Sequence, residues 1–251
     1  MVLLLFVDLD PDLAALGPLG GFFVLRTPGE ALRPLATLAQ AYAEPSSDPQ
    51  GDPLGFRVRK VANALRAPEL RIAASVAQQG LAARLWSVTL GCAALHGRIP
   101  DLDARLLRWD PDGSAPDDLW LTKVRPLPSD PASIADVVLH GHLEPLTAAL
   151  HHRYRVASGL LWGNAASALA GAARQLDQWA RAGGRTDTAA RARALTAELL
   201  THPLLAGTGT LTGTAFRRRS CCLYYRVPGG GVCGDCCFTR APRSSPRAPS
   251  G

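Results

Sequence analysis

Lysine is nearly missing from this chain. It occurs only at Lys60 and Lys123, so arginine supplies almost all of the 27 basic residues, against 21 acidic ones. With the heavy load of Ala, Leu, Gly and Pro, this reads as a GC-rich coding bias rather than selection for phosphate forks. The formal net charge of +6 therefore argues only weakly for nucleic acid, and an acidic protein partner fits it equally well. No P-loop, G-x-S-x-G elbow or H-E-x-x-H helix occurs, which sets aside the chemistries those motifs carry. The glycine-rich run Gly207 to Gly213 is spaced G-x-G-x-x-x-G, no βαβ unit surrounds it, and Pro203 lies just upstream. It reads as a linker, not a dinucleotide fingerprint. No internal repeat is visible.

Export and membrane signals are lacking too. Met1 to Val7 is apolar, but no basic region precedes it and Asp8 and Asp10 follow at once, so it does not read as a signal peptide. The longest uncharged stretch, Val156 to Ala173, contains Ser158, Asn164, Ser167 and three glycines, and reads as a buried helix rather than a transmembrane segment. These features place the chain in the cytoplasm, with association at a membrane surface compatible. Its 251 residues, 47% of them hydrophobic, suffice for one large domain or two small ones with a packed core.

What the chain does have is cysteine in one place. Five of its six cysteines lie between Cys221 and Cys237, spaced C-C-x10-C-x2-C with Cys237 directly behind. Three chemistries compete for them. A vicinal Cys221–Cys222 disulfide would be strained, and nothing marks a secreted chain. Zinc knuckles space each cysteine pair by two to four residues, and only Cys233 and Cys236 have that form. A [2Fe–2S] cluster needs two thiolates on each iron, and its wider footprint accepts adjacent cysteines whose side chains diverge. The chemistry favours the cluster over zinc. Pro228 to Gly231 lets the chain fold back and brings backbone N–H groups close, whether to cluster sulfurs or as an ordinary hairpin turn. Arg217, Arg218, Arg219 and Arg226 are placed either to offset the negative charge of an all-thiolate cluster or to form a solvated basic patch.

The run Arg219 to Arg226 (Arg-Ser-Cys-Cys-Leu-Tyr-Tyr-Arg), followed by Pro-Gly-Gly-Gly-x-Cys-Gly-Asp-Cys, resembles the FhuF-like ferric siderophore reductases. Ala74 to Ala77, Gly80 to Trp86 and Leu161 to Leu169 are similar as well, so the resemblance spans roughly residues 70 to 238. It implies a [2Fe–2S] cluster on Cys221, Cys222, Cys233 and Cys236, with Cys237 an addition to the motif. It also implies an enzyme that passes one electron to siderophore-bound Fe(III) and releases Fe(II). With no dinucleotide fingerprint, electrons would come from an external donor such as a ferredoxin or a flavoprotein. Arg217, Arg218, Arg219 and Arg226 are candidates for docking the substrate or that donor. The competing reading is a structural zinc module that binds nucleic acid or an acidic partner, or an iron–sulfur sensor.

The periodicities predict an α+β, mainly helical fold: a helical core, a few short strands or hairpins, and the cysteine-rich segment at the end. A siderophore-recognition body spans 1–206, the cluster-binding segment 207–238, and a disordered tail 239–251. Residues 2–8 and 21–26 read as strands, and Glu30 to Glu44 as a helix with Leu32, Leu35, Leu38 and Ala41 on one side. Pro45 to Pro53 reads as a loop. A long central helix runs from Pro68 to about His96 with Cys92 buried on it. Leu106 to Trp109 and Leu119 to Val124 form a hairpin. Leu143 to Ala182 is helical with a break near Ala157 to Gly159, and Thr188 to His202 is a further helix. His140, His142, His151 and His152 read as surface or helix-terminal histidines. Asn164, inside an apolar run, needs a buried hydrogen-bond partner and is a candidate site-lining residue. The five tryptophans (Trp86, Trp109, Trp120, Trp162 and Trp179) are core residues or pocket walls.

Overall fold

A computed structural model of the protein describes residues 10–27, 34–44 and 51–242. The chain passes through α1 (Asp10–Ala14), β1 (Ala36–Thr37), α2 (Leu38–Tyr42), α3 (Pro53–Leu65), α4 (Leu70–His96), β2 (Arg98–Pro100), β3 (Leu107–Trp109), β4 (Leu119–Leu121) and β5 (Pro126–Pro128). Then follow α5 (Pro131–Ala135), α6 (Glu144–Tyr154), α7 (Ser158–Ala182), α8 (Thr186–Leu199), β6 (Gly209–Thr212) and β7 (Ala215–Arg218). The fold is mainly helical with short strands, as the periodicities predict.

Helix α4 is the axis. Every residue from Leu85 to Ala94 is buried, because α3, α7, α8 and the β2 region surround it. A helix apolar all round has no face to offer water and must sit inside. Gly97, at φ 67, closes it. Its main partner α7 presents small buried residues, among them Gly163, Ala165, Ala166 and Ala170, which let the two backbones come close. The break before α7 falls at Arg155, in the left-handed region at φ 55. Cys92 is fully buried, and burial pushes its thiol up to about 12, so it behaves as a small hydrophobe.

Two antiparallel sheets flank this core. β1, β3 and β4 pair in that order, with Leu107 opposite Leu121 and Trp109 opposite Leu119, so the predicted hairpin is present. β2 pairs with β5 through Ile99 and Leu127.

Several expectations need correction. Residues 21–26 are not a strand: Gly21–Phe23 form a 3-10 turn, and only Arg26 bridges to Trp120. The cause is Arg84 on α4, whose guanidinium donates to the carbonyls of Gly21 (2.9 Å), Phe22 (2.5 Å) and Val24 (2.7 Å). Those carbonyls therefore need no ladder partner. Of the predicted helix 30–44, only Leu38–Tyr42 is helical among the described residues, started by a Thr37–Gln40 capping box. Pro53 opens α3 instead of closing a loop, with Asp52 as N-cap accepting from the Gly55 N–H at 2.9 Å. Gly207 to Gly213 is not a linker: β6 pairs with β7 through Leu211 and Phe216, turning at Gly213, φ 61. His142 is wholly buried, bonded to the Tyr42 hydroxyl at 2.9 Å and to the Leu102 carbonyl. The strand at 2–8, residues 30–33, most of the 45–53 loop and the tail beyond 242 lie outside the described residues.

Candidate metal centre

β7 delivers the chain directly to the cysteines. After Cys221 and Cys222, Leu223 takes the left-handed conformation at φ 69 and Tyr224–Arg226 form a 3-10 turn. The chain then reverses through Gly229 at φ 73, and the Gly230 N–H bonds the Val227 carbonyl at 2.8 Å. A Cβ on Gly230 would stand 2.5 Å from the Tyr224 carbonyl oxygen, so this turn closes only with glycine. The Cys236 N–H bonds the Cys233 carbonyl at 3.1 Å, the tight turn that C-x-x-C spacing allows. The Arg218 N–H bonds the Asp235 carbonyl at 3.0 Å, joining the two ends of the segment.

The reversal brings the first cysteine pair to the second. Cys222 and Cys233 have their Sγ atoms 3.6 Å apart, and all six cysteines are free thiols. The Leu223 N–H points at Cys221 Sγ (3.2 Å) and the Phe238 N–H at Cys236 Sγ (3.4 Å). Such N–H groups stabilise thiolate sulfur. Cys222 is the thiol readiest to ionise, drawn down to about 6 chiefly by the hydrogen bond with Cys233, with help from the Tyr224 N–H and the Arg218 charge. Cys233, the other partner in that bond, is pushed up, and burial raises Cys221 to about 11. Burial also raises Cys237, with Cys236 beside it. Among the described residues, no three His, Cys, Asp or Glu side chains converge as they would around a single metal ion.

Helices α4 and α7 hold this segment from behind. Ser75 Oγ on α4 donates to the Cys222 carbonyl at 2.8 Å. Asn164 Nδ2 on α7 donates to the Ser75 carbonyl and hydroxyl, each at 3.0 Å. Its Oδ1 accepts from Arg218 Nη2. Ser167 Oγ donates to Asp235 Oδ2 at 2.6 Å. Gly163 leaves room for Ser220, whose Oγ would lie 2.4 Å from a Cβ there. Asn164 thus has the structural partner its burial demands, and that partner carries the backbone of a cysteine.

Arg218 tests whether these residues suit an anionic metal group. It is 2% exposed, it forms no ion pair with any described carboxylate, and its Nε and Nη1 have no hydrogen-bond partner. A buried charge without a counter-charge is costly. A thiolate-held iron–sulfur cluster supplies both negative charge and sulfur acceptors beside it, so the donor set fits.

The comparisons agree. A family model described as a FhuF 2Fe-2S C-terminal domain matches residues 218–238, and one described as a ferric iron reductase FhuF-like transporter matches 99–212, together more than half the chain. The chain belongs to the FhuF-like ferric iron reductase family. Its cofactor is accordingly a [2Fe–2S] cluster, and the zinc module loses its basis. No curated protein matches the chain.

In this family member a groove of about 400 Å³ opens beside the cysteines, between α4 and α7. Cys233, Gly234 and Asp235 form one wall; Phe22, Gln79 and Arg174 stand around it. Asp235 is engaged by Ser167 and, at 3.5 Å, by Arg174, whereas the Gln79 side chain makes no hydrogen bond to any described residue. None of the five tryptophans lines this groove; Trp86 and Trp109 are buried in the core. Of the candidate docking arginines, Arg217 and Arg219 are exposed, and Arg217 donates to the Cys237 carbonyl at 3.3 Å. Arg226 pairs with Glu69 at 2.9 Å. Arg218 faces inward, where a docking partner does not reach it. Of the histidines, His140 is exposed and pairs with Glu144, and His151 bonds the Val156 carbonyl at 2.9 Å. Sequence reasoning did not single out Ser75 or Ser167 as holding the cysteine segment; both are ordinary hydroxyls until the fold brings residue 75 to 222 and 167 to 235. No helix of the described residues is long and apolar enough to cross a membrane.

Proposed function

We propose that this protein reduces siderophore-bound Fe(III) by one electron, in the cytoplasm, through a [2Fe–2S] cluster held by Cys221, Cys222, Cys233 and Cys236. What carries the reading is Cys233, which belongs both to the thiol group and to the wall of the groove, so a chelate bound there lies against the electron carrier. Bound by four thiolates, such a cluster passes single electrons. Siderophores hold Fe(III) with hard oxygen donors; reduction to Fe(II) lowers the charge and loosens that cage. The protein's own residues do the rest. Ser75, Asn164 and the Gly229–Gly230 turn hold the thiols in place. Gln79 and Arg174 offer donors to oxygen atoms of the chelate, and the small residues Ala168, Gly171 and Ala172 leave it room. Arg217 and Arg219, exposed beside the cysteines, serve docking of substrate or donor.

Residues 207–238, the β6–β7 hairpin and the cysteine segment, form the cluster-binding unit on a siderophore-recognition body spanning 1–206. No dinucleotide site accompanies the centre in the sequence, so the electron donor is a separate carrier, a ferredoxin or a flavoprotein. The test is single-turnover mixing of the reduced, cluster-loaded protein with a ferric siderophore under anaerobic conditions. Rapid return of the oxidised visible spectrum, with one Fe(II) captured by a ferrous chelator per cluster, supports the proposal. Reoxidation no faster than the buffer control sinks it and leaves a sensor. Turnover of NADPH by the purified protein alone would refute the separate donor.

A further inference from the structure

We infer that Arg218 is the residue that sets the reduction potential of the cluster, and that Asn164 holds it in position. The inference rests on the cluster and not on the siderophore, so it stands or falls separately from the substrate.

Its basis is a mismatch in the buried charges. Arginine carries a fixed positive charge and five N–H donors. Arg218 is 2% exposed, yet only its Nη2 is used, by Asn164 Oδ1 and more weakly by the Leu160 carbonyl at 3.4 Å. Nε and Nη1 are buried with no hydrogen-bond partner among the described residues. A guanidinium left so incomplete is rare in a folded interior, where buried polar groups find partners. The cysteine segment is tied to it from both ends: the Arg218 N–H bonds the Asp235 carbonyl, next to Cys236, at 3.0 Å, and Asn164, which takes Nη2, reaches the Cys222 carbonyl through the Ser75 hydroxyl. The neighbouring arginines differ. Arg217 and Arg219 are in water, which screens them, and Arg226 has Glu69.

The direction follows from charge. Reduction adds one electron to the cluster and so one negative charge. A positive group in a poorly screened site favours the reduced form and raises the potential, and N–H donors aimed at sulfur act the same way. Asn164, bonded at once to Arg218 and Ser75, keeps the guanidinium from turning away toward solvent. It is a positioning residue, since it acts through Arg218.

The test is an EPR-monitored redox titration of cluster-loaded protein, wild type against Arg218→Met, Arg218→Lys and Asn164→Asp, with iron and sulfide counted for each. Arg218→Met is expected to lower the ratio of reduced to oxidised cluster at a fixed potential by about tenfold or more, a shift of ~59 mV per tenfold for one electron. Arg218→Lys, which keeps the charge, recovers most of that loss. Asn164→Asp keeps an acceptor for Arg218 but neutralises it, and lowers the ratio in the protein that carries cluster. If Arg218→Met does not load iron, Asn164→Asp decides. A midpoint of loaded Arg218→Met or Asn164→Asp indistinguishable from wild type overturns the inference and leaves Arg218 a packing residue.

Discussion

Two arginines are buried in this protein to the same 2%, and they are opposite in every other respect. Arg84, on α4, has its Nε on Asp118 at 2.9 Å and its remaining nitrogens on three carbonyls of the 21–24 segment. It is complete, and what it completes is the fold: it ties the N-terminal segment and the β3–β4 connection to the central helix. Arg218, at the end of β7, has one engaged guanidinium nitrogen and, among the described residues, two unpartnered ones and no carboxylate. One arginine closes its own account within the chain. The other is finished only by the cofactor. The contrast shows how a single residue type separates the part of the molecule that holds shape from the part that carries electrons.

The strongest way to sharpen that comparison removes the cofactor's ligands. Cys222→Ser and Cys233→Ser are expected to lose the cluster, with bound iron per chain falling at least about tenfold given the ligation that clusters require. Cys92→Ala keeps it, because the Cys92 thiol is sealed in the core. Iron assay with the visible spectrum reads both.

Arg84→Met is next. It strands the buried Asp118 carboxylate and takes the guanidinium from the Phe22 and Val24 carbonyls, a loss of about 3–5 kcal/mol. At 2–4 °C per kcal/mol for a chain of this size, the melting temperature falls by roughly 10 °C. Arg218→Met in metal-free protein gives up only the bonds to Asn164 and Leu160, about 1–2 kcal/mol at most. Equal losses from the two substitutions would erase the distinction.

A pH dependence belongs to the Arg84 side. Burial drives His142 from 6.5 to about 4 in the folded chain. Its folded value lies below its unfolded one, so the unfolded state binds the extra proton between those limits. The folded state therefore keeps its full stability above pH 6.5 and loses about 3 kcal/mol of it as pH falls to 4. Denaturant melts of wild type and His142→Asn at pH 7.5 and 4.5 should show that difference shrinking at acid pH, with the reduction potential of the cluster unaffected by the substitution. The smallest effect expected is from Ser75→Ala, which removes the buried bond to the Cys222 carbonyl and the one the hydroxyl accepts from Asn164, for about 1–2 kcal/mol. Its readout is slower cluster reconstitution.

Much of this was legible in the chain itself. The cysteine spacing marked the centre, and the long helical pattern from Pro68, apolar all round in its second half, marked the central helix, because both are local patterns. Helix α3 was legible in retrospect: Asp52-Pro53 is an N-cap followed by a first-turn proline, hidden by the proline and glycine content upstream. The segment at 21–26 misled because a short apolar run behind a turn signal reads as a strand, while its carbonyls are satisfied by Arg84, more than fifty residues away. The same holds for Arg218. In a row of three arginines nothing local distinguishes the middle one; the alternation of β7 turns it inward and its neighbours out.

The most direct test of the account is the metal itself. Protein purified anaerobically, with iron, zinc and acid-labile sulfide counted, is examined by EPR before and after dithionite. Two irons and two sulfides per chain, and an S = 1/2 signal on reduction that Cys222→Ser and Cys233→Ser lack, are the expected result. A colourless protein holding zinc, with no iron even after reconstitution, would contradict it.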